Sequence, residues 1–183
     1  HTPMRYIWDM YHDYMSSLSP LKRAVFRRIA PQMRRYDVDS SRSVDHFIAN
    51  SSFVARRIWK YYRRESTVVH PPVDIERFSQ VECHPEDFYL FFGQLVDYKR
   101  VDLAIEACRI AGRHLVIIGE GRISGRNLQH VTRLGRQPDS VVMDHLSRAR
   151  ALIFPGVEDF GIIPIEAAAA GCPVIAFNRG GAR

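Results

Sequence analysis

The stretch FYLFFGQLVDYKRVDLAIEACRIAGRHLVIIGEG, residues 88–121, decides how the chain folds. It opens on Phe88-Tyr89-Leu90-Phe91-Phe92, a continuous apolar run that stops at Gly93. A run without polar alternation suits a strand buried on both faces of a parallel sheet. Lys99 to Ala111 then has helical periodicity, with Val101, Ile105, Cys108 and Ala111 inward and Gly112 as the C-cap. His114 to Ile118 is a second apolar run, closed by Gly119-Glu120-Gly121. The alternation continues downstream. His130-Val131-Thr132 reads as a weaker strand, Asp139 to Ala149 as a helix and Ala151 to Phe154 as a strand. Ile162 to Ala170 reads as a helix capped by Gly171, and Pro173 to Phe177 as the last strand. The expected fold is α/β, a Rossmann-like, doubly wound parallel sheet. Such sheets bind ligands at the carboxyl ends of strands, here Gly93 onward, Gly119 onward and Pro155 to Glu158.

Upstream, the composition changes at about residue 66. The preceding part is aromatic and basic: Tyr6, Trp8, Tyr11 and Tyr14, then Lys22, Arg23, Arg27, Arg28, Arg34 and Arg35. Leu18 to Arg35 has helical character that Pro31 should interrupt. Val44 to Ala49 is a short apolar strand, and Asn50-Ser51-Ser52 offers N-cap oxygens. Phe53 to Glu65 is an amphipathic helix. Val54, Ile58 and Tyr61 or Tyr62 lie on one side, and Arg56, Arg57, Lys60, Arg63 and Arg64 on the other. Thr67 to His70 is a strand stopped by Pro71-Pro72.

At 183 residues the chain holds one domain or slightly more. It is 46% hydrophobic and 25% charged, which excludes a disordered tail. The net charge of +6 suggests an anionic partner without naming one. Cys83, Cys108 and Cys172 form no C-x-x-C, so a zinc ribbon or disulfide framework is not expected and a reduced cytoplasmic setting is. No apolar run reaches membrane-spanning length. No signal peptide is expected. Both ends read as cut: the chain runs from His1 straight into structured-looking sequence, and a helix should follow Phe177 and Gly180-Gly181.

The strongest chemical signal is Glu158-Asp159-Phe160-Gly161-Ile162-Ile163-Pro164-Ile165-Glu166. One glutamate lies in the loop leaving a strand, the other one turn into the next helix. Between them, the amides of Gly161, Ile162 and Ile163 and the helix dipole favour a phosphate. Flanking carboxylates repel a phosphate unless they have other work, and hydrogen bonding sugar diols is such work. An unliganded helix with acids at its start fits the residues equally well. The second signal is Gly93 to Asp102, where Lys99 sits at a helix start. A cation there opposes the dipole, which points to an anionic ligand, although a solvated lysine is the simpler reading.

Together these stretches resemble the retaining GT-B glycosyltransferases of family 4, particularly mannosyltransferases of polysaccharide and O-antigen assembly. Glu158 to Glu166 is similar to the family's E-x7-E motif in its E-D-F-G-I-x-P-x-E form, and Gly93 to Asp102 to its G-R-L-x-x-Y-K-R-x-D stretch. Ala49-Asn50-Ser51, Val69 to Asp74, Gly171 to Ala176 and the opening His1 to Tyr6 resemble flanking landmarks in the family's order. The resemblance implies a GT-B fold in which residues 1–66 end the acceptor-side domain and 67–183 form the nucleotide-sugar-binding domain. It implies that Lys99 neutralises the donor diphosphate and that the amides of Phe160, Gly161 and Ile162 cradle it, with Ile163 following. Glu158 would hold the transferred hexose, Glu166 the ribose, and His1 would lie beside the donor sugar. Gly119 and Gly121 would shape the nucleotide loop. No metal and no cofactor is implied; GDP-mannose or a UDP-hexose is the donor, and a glycan or lipid-linked molecule the acceptor. Transfer would retain configuration by front-side attack, with Glu158 positioning rather than attacking. Gln94 departs from the family, which has arginine there, so donor binding would lean more on Lys99.

Other readings carry less. Asp37-Val38-Asp39 spells D-x-D but reads as a polar loop before the Val44 strand. Gly119-Glu120-Gly121 continues with Ser124 and Gly125 out of register for a dinucleotide fingerprint. The eight histidines show no ligand spacing. Lys22 to Arg35 could touch the inner face of an anionic membrane, or be a solvated face. Tyr61 and Tyr62 beside Arg63 and Arg64 imitate a nucleic-acid surface, but no motif supports that class. A non-catalytic nucleotide-binding fragment also fits. The chain alone is expected to bind donor at most.

Overall fold

Strand placement follows the apolar runs closely. The computed structural model describes residues 2–123 and 128–182, which fall into two compact units, 1–70 and 71–183. In the second unit β3 (Phe88–Phe92), β4 (His114–Ile118), β5 (Val131–Gly135), β6 (Ala151–Phe154) and β7 (Val174–Ala176) form one sheet in the order β5-β4-β3-β6-β7. Every pairing is parallel, with Leu90 opposite both Val116 and Leu152. The strands alternate between two cores. Phe88, Leu90, Val116, Ile118, Leu152 and Phe154 pack with Phe78 of α4 (Ile75–Ser79), α6 (Asp139–Arg148) and α7 (Ile162–Ala169). Phe91, Leu115, Ile117 and Ile153 pack with α5 (Val101–Ala111). Both faces are therefore apolar and covered, which explains the unbroken runs. The expected α/β, Rossmann-like fold is what this unit adopts. The chain leaves β3 for β4 on one side and reaches β6 on the other, so the sheet's switch point lies between β3 and β6.

Some local expectations need correction. Lys99 does not begin α5. It ends a single 3-10 turn, Asp97–Lys99, and Arg100 intervenes at φ 54°. The buried stripe of α5 is Val101, Ala104, Ile105 and Cys108, while Ala111 is exposed in the last turn beside Gly112. Strand β5 extends to Gly135 rather than stopping at Thr132, because it pairs with β4 as far as Ile118. Ser124 and Gly125 lie outside the described residues.

The first unit comprises α1 (Tyr11–Ser17), α2 (Pro20–Ser41), β1 (Phe47–Ala49), α3 (Ser52–Tyr62) and β2 (Ser66–Val68), with β1 and β2 paired in parallel. Helix α2 runs through Pro31 without ending. Proline removes one hydrogen bond, but Phe26 and Ala30 before it and Asp37 and Ser41 after it are buried along one face. That shared burial outweighs the local cost. Asp37-Val38-Asp39 is accordingly helix, not loop. Ser51 caps α3 by accepting from the Val54 amide at 3.1 Å, as the sequence suggests. Strand β1 starts only at Phe47, because the carbonyls of Val44 and Asp45 accept from the Arg64 guanidinium.

The largest correction is Arg57. The helical wheel puts it on the solvent face, yet it is 3% exposed. It donates to Asp9 Oδ2, Thr2 Oγ1 and the Pro3 carbonyl. Tyr61 donates to the other oxygen of Asp9. Burial pushes the Asp9 carboxyl up, but the bonds from Tyr61 and Arg57 outweigh it and hold the group below its ordinary range. Asp37, also buried, accepts from Trp8 Nε1 at 2.7 Å and Tyr62 OH at 2.9 Å. Burial, then the Asp37 charge, pushes the Tyr62 phenol well up.

Candidate functional site

The site lies where β3, β4 and β6 end. Gly93 N–H donates to the Ile118 carbonyl, and Leu95 N–H to that of Glu120. The chains leaving β3 and β4 thus stay in register, with Leu95 bridging to Gly121. They approach closely at Gly119, which has φ 147°. A Cβ there would come within 1.8 Å of the Gly93 carbonyl oxygen, so only glycine fits.

The 3-10 turn after β3 aims Lys99 back toward the strand end. Its Nζ lies 3.3 Å from Glu158 Oε1, with both side chains less than one-fifth exposed. Gly93 leaves room for this: a Cβ there would meet Lys99 Nζ at 3.3 Å and Ile163 Cδ1 at 3.5 Å. The tertiary structure therefore brings together four positions singled out in the sequence: Gly93, Lys99, Glu158 and Ile163. Gly156, after β6, packs on the backbone of Tyr98 and Lys99. The Lys99 turn and the Glu158 loop thereby touch through their main chains.

Helix α7 begins immediately beyond Glu158. Its N-cap is Gly161, at φ 94°, and no side chain caps it. The first-turn amides of Ile162 and Ile163 have no intrahelical acceptor by helix geometry, and Pro164 removes a third donor. The result is a positive helix end beside an ammonium group, suited to a phosphate. Phe160 is half-buried and precedes this turn. Glu166 lies one turn along α7, half-buried, with no hydrogen-bond partner for its carboxylate among the described residues. Burial raises its pKa, nearby Asp139 adds to the rise, and Arg77 opposes it. Arg77 itself pairs with Asp139 at 2.7 Å. Gln94 is exposed and brings no charge. Arg100 does not join Lys99; its guanidinium grips Asp102 at 2.8 Å. His1 lies outside the described residues.

The sequence reading missed the partner of the Glu158 loop. Gly181 N–H donates to the Glu158 carbonyl at 2.7 Å, and a Cβ at Gly180 would lie 2.6 Å from the same oxygen. The sequence marks Gly180 and Gly181 only as the residues after which a further helix should follow. The usable signal was their position after β7, the strand beside β6.

Residues 72–183 match the family model described as Glycosyl transferases group 1. An uncharacterized glycosyltransferase of Methanocaldococcus jannaschii is 27% identical, over 75% of this chain and 41% of its own length. The D-inositol 3-phosphate glycosyltransferase of Streptomyces scabiei is 29% identical, over 76% and 40%. The chain thus spans about two-fifths of these relatives. The structure of HepE from Anabaena in complex with UDP and glucose superposes with a TM-score of 0.67 at 19% identity, over 81% of this chain and 49% of that one. At that identity the likeness concerns the fold.

Proposed function

The chain belongs to the group 1 glycosyl transferases, and on that premise we propose that its second unit binds the nucleotide-sugar donor of a retaining hexosyl transfer. One observation carries the reading: Lys99 Nζ and Ile163, in the open first turn of α7, both lie against Gly93 at the end of β3, and Lys99 pairs with Glu158. In this arrangement the ammonium and the amides of Phe160, Gly161, Ile162 and Ile163 take the diphosphate. They stabilise the charge that grows there as the sugar leaves, without a metal. Glu158, held by Lys99 and through its carbonyl by Gly181, accepts from hexose hydroxyls. Glu166 is a carboxylate kept half-buried without a hydrogen-bond partner among the described residues. That is costly unless a ligand supplies donors, and the ribose diol is such a ligand. Gly119 and Gly121 keep the nucleotide loop against β3.

The acceptor is a glycan or lipid-linked molecule, and mannose is the proposed sugar. HepE's complex with UDP and glucose supports a nucleotide-sugar donor of this class. His1 is proposed beside the donor sugar. Residues 1–183 are expected to bind donor without turnover, and measurable transfer by this chain would overturn that point. The test is thermal shift with GDP-, UDP- and ADP-sugars. One nucleotide should stabilise the chain, by roughly 2.7 kcal/mol at a hundredfold excess over Kd. Lys99→Ala should weaken that nucleotide at least about tenfold, the worth of a charged hydrogen bond. Stabilisation that survives Lys99→Ala unchanged would sink the assignment.

A further inference from the structure

The loop that leaves β4 is held from both sides. On the β3 side, Leu95 N–H donates to the Glu120 carbonyl at 2.7 Å, and Leu95 pairs with Gly121. Gly121, at φ 137°, lies so close that a Cβ there would come within 2.3 Å of the Leu95 carbonyl oxygen. On the β5 side, Gly119 N–H donates to the Gly135 carbonyl at 2.8 Å. The Arg133 guanidinium adds a bond to the Gly121 carbonyl at 3.0 Å. The earlier contacts join main chain to main chain. This last one depends on a side chain.

Strand β5 aims that side chain. It is an edge of the sheet. Its register against β4 slips after the pair Ile117–Arg133, so that Ile118 faces Gly135 and Leu134 is passed over. Such bulges occur at sheet edges and re-aim the side chains beside them. Val131 and Arg133, two residues apart, share a face of the strand. Val131 packs on the apolar cluster around α5, whereas Arg133 is exposed. Arg109, Arg113, Arg148 and Arg150 of the same unit all pair with carboxylates. Arg133 has no carboxylate partner among the described residues and instead bonds a main-chain oxygen twelve residues earlier.

Gly121 matters because of what adjoins it. Through Leu95 it meets the segment that turns at Asp97–Lys99 and sets Lys99 against Glu158. A loop already fixed in place has less freedom to lose when a ligand settles on it. We propose that Arg133 is a positioning residue for the nucleotide: by gripping the Gly121 carbonyl it holds the 119–121 loop in its binding form, at the nucleoside end of the donor site. This rests on the donor reading above. In this role the guanidinium acts on the loop and leaves the phosphates to Lys99 and the first turn of α7.

The test is isothermal titration of the 183-residue chain with UDP, GDP and ADP, and with the monophosphate of the one that binds. Arg133→Met keeps the side-chain stem and removes its donors. It should weaken the monophosphate and the diphosphate alike, by about fivefold, the worth of one hydrogen bond. Arg133→Lys restores a donor and should return both to within about twofold of the wild type. Lys99→Ala should instead weaken the diphosphate more than the monophosphate. Arg133 is exposed, so the thermal midpoint of the free chain should stay within about 2 °C in both of its variants. If the wild type binds none of the three nucleotides, the donor reading fails and this inference with it. If the wild type binds, Lys99→Ala weakens it and Arg133→Met does not, this inference alone fails. It also fails if the Arg133→Met loss is confined to the diphosphate, because the guanidinium would then act on the phosphates, or if Arg133→Lys binds as weakly as Arg133→Met.

Discussion

Residues 71–183 and residues 1–70 are built on different terms. The second unit buries aliphatic and aromatic side chains on both faces of a five-stranded sheet. The first has a two-stranded sheet and small apolar clusters around Ile7 and Phe26 and around Val54 and Ile58. It also buries charge, through Arg57 with Asp9 and through Asp37 with Trp8 and Tyr62. Apolar packing is forgiving, because no single contact decides it. A buried ion network is not, because each member left without its partner keeps its full desolvation cost. In the second unit the closest backbone approaches, at Gly119, Gly121, Gly156 and Gly181, lie at the proposed donor site.

That contrast can be broken by experiment. The largest effect should come from Gly119→Ala, whose Cβ would have to displace the Gly93 carbonyl. We expect a loss of about 4–5 kcal/mol and of nucleotide-dependent stabilisation, read by circular dichroism and thermal shift. Both tryptophans, Trp8 and Trp59, lie in the first unit. Their fluorescence midpoint should move much less in that variant. A tolerated alanine would mean that the β3 and β4 ends are not locked together.

Next comes Arg57→Ala, which empties a buried site and leaves the half-buried Asp9 with Tyr61 and Lys60 only. It should cost about 3–4 kcal/mol, read by tryptophan fluorescence in urea, with nucleotide binding retained. A loss below about 1 kcal/mol, the scale of an exposed pair, would show that the network is incidental and erase the difference between the units.

The smallest effect separates the units by pH. Asp9 has its folded pKa below the ordinary value of 3.8. Its contribution is present above that value and is lost as pH falls through the lower folded one. Glu166 has the opposite sign: its folded pKa lies above 4.5. Its contribution is present below 4.5 and is lost as pH rises through the folded value. Glu166→Gln should therefore slightly stabilise the unliganded chain near neutrality, and that gain should vanish below 4.5, while nucleotide binding weakens. Thermal melts across pH 3 to 8 check both signs. A destabilised Glu166→Gln chain at neutrality would mean that the carboxylate has a structural partner.

Legibility tracked the range of the interactions. Phe88–Phe92, His114–Ile118 and Ala151–Phe154 were readable to the residue, because a strand covered on both faces must be apolar throughout. The Ser51 cap was readable because it acts over three residues. Pro31 misled because a local rule met burial on either side of it. Arg57 misled because its partners lie about fifty residues earlier in the chain. The Glu158 loop's tie to Gly181 was missed for the same reason.

The sequence by itself determined the parallel α/β architecture, the strand ends that carry the site, and the two glutamates and lysine of the motif. These follow from local periodicity, glycine punctuation and helix-end electrostatics, all written within a few residues. Only the tertiary structure decided that Lys99 lies against Glu158, that Gly119 touches Gly93, that Arg57 is buried and that Arg133 reaches Gly121. A side chain's environment is set by whatever the fold brings beside it, and no local pattern encodes that.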